Sequence, residues 1–276
     1  MDNTEMLPTT HALTGVRALV AHNHRGDVVV THVPGDPGTA PGMVRLTPRH
    51  AGVDLSRATV EVVDGRLRVE VPRIDDGGHG FTLGPISLGG GTAVHVEIEV
   101  PAGVAVEATT KLGDVLVQGT GGSTTVRTGA GEVRVERCLT VRAATGAGNL
   151  TVGACTGGSA TTGTGEVVVD SSEGELHVRA GAGDVRVNAS SGGAVSAATG
   201  AGDIRVELLS GSAECRSGAG DVTVVVPRGE PVWLDLSAGL GTVRRDVEPV
   251  GAPADGQAYL SVKARTGLGD VTVRHP

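Results

Sequence analysis

Aromatic residues are nearly missing from this 276-residue chain, which holds one Phe, one Trp and one Tyr: Phe81, Trp233 and Tyr259. Ligand pockets are usually lined with rings and bulky apolar groups, so no small-molecule pocket is expected and no cofactor is implied. Lysine is almost absent too. Only Lys111 and Lys263 stand among the 23 basic residues, against 31 acidic ones, and no basic cluster forms. A net charge of −8 with that distribution argues against nucleic acid and anionic membrane as partners. No stretch approaches the roughly 18 apolar residues of a membrane helix, so no membrane span is expected. Met1–Thr10 carries Asp2 and Glu5 and no apolar run, which is unlike a secretory leader. With only three cysteines there is no disulfide framework, and a cytoplasmic location is the expectation.

What the chain has in abundance is glycine, 45 residues of it, and the glycines recur in a phrase. Thr128-Gly-Ala-Gly-Glu-Val-Arg-Val135 returns as Thr145 to Val152, Thr162 to Val169, Ala180 to Val187, Thr199 to Val206 and Ser217 to Val224. Marking each unit by the polar residue after its last glycine gives Asp114, Glu132, Asn149, Glu166, Asp184, Asp203 and Asp221, with steps of 18, 17, 17, 18, 19 and 18. A fixed period carrying a fixed strand phrase is the signature of a solenoid.

One and three residues after each marker sit pairs such as Val185 and Val187 or Ile204 and Val206. Six and eight residues before it sit pairs such as Ala197 and Val195. Both are period two, so each unit reads as two short strands with small or β-branched inward residues, joined at a Gly-x-Gly corner. Ala201 is also read as a lumen residue. The fold expected is therefore an all-β, single-stranded β-solenoid, parallel β-helix-like, with coils of about 18 residues. Fully burying a valine contributes roughly 1.5–3 kcal/mol and fixing a residue's backbone costs roughly 1–2 kcal/mol. One coil cannot stand alone, and stacking makes the balance favourable.

Along the chain, residues 1–12 read as a disordered leader and 13–105 as a β-rich N-terminal cap. Within the cap the expected strands are Val16–Ala21, Asp27–Val33, Thr59–Val63, Arg66–Val71 and Val94–Val100, with a two-residue hairpin at Asp64-Gly65 and a mobile glycine-rich loop at Gly77–Gly91. Residues 106–245 read as solenoid repeats, 246–257 as a loop rich in proline and glycine, and 258–276 as the last coil. Trp233, Leu234 and Tyr259 are expected to plug the C-terminal end.

The phrase Thr-Gly-Ala-Gly-Asp-Val-x-Val, the lead-in Val96 to Val104 and the closing Arg265 to Val273 resemble the bacterial putative-adhesin family of β-strand repeat domains, common in actinobacteria. The resemblance spans about Leu13 to Arg274. It implies the Gly-Asp-Val repeat β-solenoid fold and no particular activity.

The acid row is the first candidate for chemistry. Asp114, Glu132, Glu166, Asp184, Asp203, Asp221 and Asp270 form a candidate surface ladder with Arg134, Arg186 and Arg205, which lie two residues past their markers. As a metal site the row would use Asp184, Asp203 and Asp221, since calcium takes several carboxylate oxygens. As a structural row it would be neutralised by the arginines, or would accept backbone N–H bonds at turns. The structural reading is preferred, so no metal ligand is assigned. Gly-Ala-Gly is a weak phosphate cradle, because no Gly-Lys-Ser/Thr follows and no helix is available. His22-x-His24 with His32 would offer a metal site but reads as surface histidines near a strand end, and Arg25-Gly26-Asp27 spells a cell-attachment tripeptide. Cys138 and Cys155 stack six residues past successive markers, where a bridge could form, and read as small corner residues. No nucleophile elbow or singular carboxylate pair stands out for a polysaccharide-active β-helix enzyme.

The expectation is a non-enzymatic scaffold or interaction surface that binds a protein partner or itself. The alternative is an exported, cation- or glycan-dependent adhesin.

Overall fold

The computed structural model describes residues 9–50, 53–74, 81–83, 86–88, 92–248 and 258–276. All regular structure among them is β, and the chain forms two compact units, residues 1–134 and 135–276. The fold is a β-solenoid. Each coil contributes one longer and one shorter strand, and these join two different sheets. Valine at alternate positions suits this arrangement, because its stiff χ1 packs well on a pleated surface whose other face meets water.

In the 135–276 unit the longer strands run Thr140–Ala147, Gly157–Thr164, Leu176–Ala182, Ala194–Ala201 and Ser212–Ala219, each parallel to the next. The shorter strands Leu150–Cys155, Val167–Ser172, Val185–Ser190, Ile204–Leu208 and Val222–Val225 pair in the same order. Inward positions close the core completely: Val178, Val187, Val206, Val222 and Val224 are all fully buried.

Order in space then departs from order in sequence. The strands Leu260–Leu268 and Val271–Arg274 pair directly with Ser212–Ala219 and Val222–Val225. The earlier strands Val232–Leu240 and Val243–Asp246 pair outside them, at the sheet edges. Residues 258–276, expected as the last coil, are therefore the penultimate rung. The outer rung shows how an edge is finished. Arg245 takes the register position of the buried Val273, and a charge at such a position blunts an open edge. Trp233 and Tyr259 do not plug this end: both lie about half exposed, because Trp233 shares the outward register position of Ser261. The expected loop at 246–257 falls largely outside the described residues.

In the 1–134 unit the solenoid begins earlier than the repeat phrase. Ala18–Arg25 runs parallel to Ala105–Leu112, and Val28 pairs with Val115, so Ala18–Val33 is a coil with Gly26-Asp27 at its corner. The cap proper is antiparallel. Thr59–Val63 folds back on Arg66–Val71 through Asp64 and Gly65, both at positive φ (51° and 76°), as the primed two-residue turn requires. Gly42–Pro48 lies between Val94–Pro101 and Thr9–Leu13, so part of the expected leader is an edge strand. Of the expected loop at 77–91, Phe81–Leu83 and Ile86–Leu88 pair antiparallel, and the rest lies outside the described residues.

One lumen assignment is corrected. Ala201 is exposed, in register with Ala182 and Ala219 and in a column that continues to Leu268 and Leu240, which are 52% and 71% exposed. The lumen alanine of that coil is Ala197, 1% exposed between Val178 and Cys215. Ala197→Leu is therefore expected to cost roughly 1–3 kcal/mol by overpacking, whereas Ala201→Leu stays within about 0.5 kcal/mol of the wild type. Urea denaturation of the two variants checks this, and equal losses would contradict the burial assignment.

Candidate functional site

The acid row lies at the Gly-x-Gly corners, and its geometry follows from how one corner sits on the next. Gly202 has φ +141°, and a Cβ built on it would fall 2.3 Å from the Gly183 carbonyl oxygen of the preceding coil. Only glycine allows backbone to rest on backbone in this way. That close approach leaves corner groups whose partners must come from the adjacent coil.

Two columns of side chains supply them. In the first, an acid or amide oxygen accepts the backbone N–H of the next marker residue. In the 1–134 unit, Asp27 Oδ1 accepts from Asp114 N at 3.0 Å and Asp114 Oδ1 from Glu132 N at 2.8 Å. In the 135–276 unit, Asn149 Oδ1 accepts from Glu166 N at 3.0 Å. Asp184, Asp203 and Asp221 each accept at 2.8 Å, from Asp203, Asp221 and Asp270 respectively. Asp270 Oδ1 accepts from Thr242 N at 2.9 Å. Asn149 fits the row because the bond needs an oxygen and not a charge.

The glutamates depart from the pattern by one methylene. Glu166 reaches sideways and pairs with Arg186 at 3.2 Å. Arg244 pairs with Asp270 at 3.5 Å in the same relation, two residues past the marker of a neighbouring coil. Arg134 and Arg205 stand on the outward face and make no such pair among the described residues. The structure thus brings Glu166 and Arg186 together, and it threads Asp184, Asp203, Asp221 and Asp270 on one line of backbone bonds.

The second column was not read from the sequence. Four residues before the marker, a buried hydroxyl donates to the corner carbonyl of the preceding coil. Thr162 bonds Gly148 O at 2.9 Å, Thr199 bonds Gly183 O at 2.8 Å, and Ser217 bonds Gly202 O at 3.0 Å. Thr266 bonds Gly220 O at 2.7 Å, Thr128 bonds Gly113 O at 2.9 Å and Thr110 bonds Gly26 O at 3.0 Å. The signal was present: positions eight, six and four before the marker continue one period-two face.

The remaining candidates separate. His22 is exposed on the outer face, while His32 is buried with Nδ1 3.1 Å from Gln118 O and Nε2 3.1 Å from Val104 O, so the three histidines share no site. Arg25-Gly26-Asp27 is a coil corner in which Asp27 also faces Arg49 at 3.5 Å and His95 at 3.6 Å. The Gly-Ala-Gly corners hold no free anion cradle, since their N–H groups donate along the stack, as Gly202 N does to Ala219 O at 2.8 Å. Among the described residues, no group of three or more His, Cys, Asp or Glu converges as a metal site. Surface clefts lie at Arg228, Arg245, Arg274 and His275 and at Val63, Asp64, Arg66 and Arg68.

The family model described as Toastrack DUF4097 matches residues 48–274. The chain belongs to that family. Among solved structures it is similar to a putative adhesin from Parabacteroides distasonis ATCC 8503, with 12% identity, 99% of this chain and 98% of that chain covered, and a TM-score of 0.54. A putative adhesin from Parabacteroides merdae ATCC 43184 shares 9% identity over 98% and 96% of the two chains, with a TM-score of 0.52. A putative lipid binding protein from Parabacteroides distasonis ATCC 8503 shares 11% over 95% and 96%, with a TM-score of 0.50. At these identities the Toastrack fold is what is shared. Among curated proteins none matches the chain.

Two expectations follow. Asp203→Asn keeps the oxygen acceptor and should change stability by less than about 0.5 kcal/mol, while Asp203→Ala loses the bond and should cost about 1 kcal/mol. Equal losses in urea melts would show that charge, not the acceptor, matters. The Thr242 backbone N–H, its hydroxyl and nearby Arg244 hold the Asp270 carboxyl below its ordinary value. A depressed carboxyl stabilises the fold above the ordinary carboxylate range and loses that contribution as pH falls. The stability gap between wild type and Asp270→Asn should therefore narrow below about pH 4, in melts recorded across pH. A constant gap would remove the charge from the account.

Proposed function

We propose that this Toastrack protein is a non-enzymatic scaffold whose outer solenoid faces bind a protein partner or a second copy of the chain. The observation that carries this reading is where the repeated polar groups are spent. The Asp oxygens and the Thr hydroxyls are used coil to coil, along the stack. What remains for recognition is a regular outward surface, with Arg186, Arg205, Asp170 and Asn188 in the rows flanking the corner. Extended repetitive surfaces of this kind are what solenoids use for binding. The carboxylates repeat from coil to coil and do not converge, which supports a role without catalysis.

A second reading has one observation in its favour. Two of the fold's solved neighbours are called putative adhesins, so this chain would act outside the cell as a cation- or glycan-dependent adhesin. Location separates the two: the scaffold reading expects the native protein in the cytosolic fraction, the adhesin reading at the surface.

The test uses the full chain as bait in a lysate of the source cell, with calcium and with a chelator. The scaffold reading expects one partner, or the protein itself, retained in both conditions and weakened about tenfold or more by Arg186→Glu with Arg205→Glu. Retention that needs calcium and survives both charge reversals would overturn it in favour of the adhesin.

A further inference from the structure

We propose that Cys138 and Cys155 form a redox-sensitive pair that closes a disulfide between two adjacent coils of the 135–276 unit. Their register is fixed on both sides. Thr140 pairs with Gly157 in the ladder just past the corner, and a Cβ at Gly153 would fall 2.2 Å from Glu136 O. Residues 136 and 153, and 140 and 157, therefore stand opposite each other, and Cys138 stands in register with Cys155 between them. Neither cysteine is in a disulfide, and both side chains turn inward, 5% exposed.

Neighbouring rungs lie about 4.8 Å apart, inside the roughly 4.4–6.8 Å Cα separation that a disulfide spans. Each cysteine ends its strand, Val133–Cys138 and Leu150–Cys155, just before a corner. A disulfide needs Cβ atoms about 3.5–4.5 Å apart, so closure draws the two strand ends slightly together. Along the same column Cys155 stands in register with Ser172, and Ser172 with Ser190, whose buried hydroxyl has no hydrogen-bond partner. The column thus accepts small polar atoms without tight hydrogen bonding, and sulfur occupies two consecutive rungs of it. Cys215 cannot compete. It lies in the other sheet between Ala197 and Ala264, and complete burial pushes its thiol up to about 12.

The oxidant is a small-molecule disulfide. One cysteine thiolate attacks a sulfur of that disulfide, expels one thiolate and leaves a mixed disulfide. The second cysteine thiolate then attacks the protein sulfur of that bond and expels the other half. The pair is oxidised, and the small disulfide is reduced to two thiols that take up the two protons given up by the cysteines. Burial raises the Cys155 thiol above its ordinary range, so closure is slow at neutral pH and accelerates as pH rises. A reducing cytosol keeps the pair open and an oxidising compartment closes it, so its state in protein taken from cells also reports where the chain resides.

The experiment treats the full chain with oxidised glutathione at mildly alkaline pH. Remaining thiols are then counted with a maleimide under denaturing conditions, and linked peptides are mapped by mass spectrometry. The expected result is one thiol left, at Cys215, a peptide joining Cys138 to Cys155, and a melting temperature raised by about 5 °C that dithiothreitol reverses. Cys155→Ser places at this rung the residue found at the next two, so it should fold. It should give neither the linked peptide nor the rise, while Cys215→Ala should retain both. Three thiols still free after prolonged treatment, glutathione adducts without the linked peptide, or cross-links between chains would each overturn the proposal.

Discussion

The contact on which everything else depends is backbone resting on backbone at the coil corner. A glycine with positive φ sets its Cα against the carbonyl of the coil before it, and no side chain fits between them. Once that approach is fixed, the corner's backbone N–H and carbonyl groups find their partners in the adjacent coil. An acceptor on one side and a hydroxyl donor on the other are the two groups that the geometry demands. The marker residue and the threonine four positions before it supply them.

This requirement explains why the acid row need not be an ion-binding device. A carboxylate at each rung looks like accumulated repulsion when only the charges are counted. When the hydrogen bonds are followed, each aspartate holds the next coil's backbone. The glutamates, too long for that bond, turn outward, as Glu166 does toward Arg186. The row is stitched lengthwise, and the faces to either side of it carry the outward side chains.

How much of this was legible depends on whether the information is periodic. The period, the inward valines and the Gly-x-Gly corners could be read because each recurs many times, and a repeated pattern carries its own control. Ala201 was misplaced because alanine sits on both faces of the same strand, and residue type alone does not say which. The threonine column was overlooked because threonine reads as polar, though its hydroxyl is buried and bonded to a carbonyl. Gly26-Asp27-Val28-Val29-Val30 resembles the repeat's strand phrase, but a single corner, separated from the rest by the antiparallel cap, does not form a run, so the coil at Ala18–Val33 becomes plain only in its strand pairing. The exchange of the two C-terminal rungs had no local sign at all. It lies in strand pairing between distant segments, which the phrase Gly-Leu-Gly, common to both rungs, cannot distinguish.

That exchange has a consequence for how the chain assembles. A solenoid made from one end can add each coil as it leaves the ribosome, since the edge that it needs is already in place. From Thr140 through Val225 this chain can do so. The next coil, Val232–Asp246, finds its proper neighbour not yet made, because Leu260–Arg274 must first occupy the rung between. Those residues wait on a segment synthesised after them, and the last step of folding is an insertion instead of an addition.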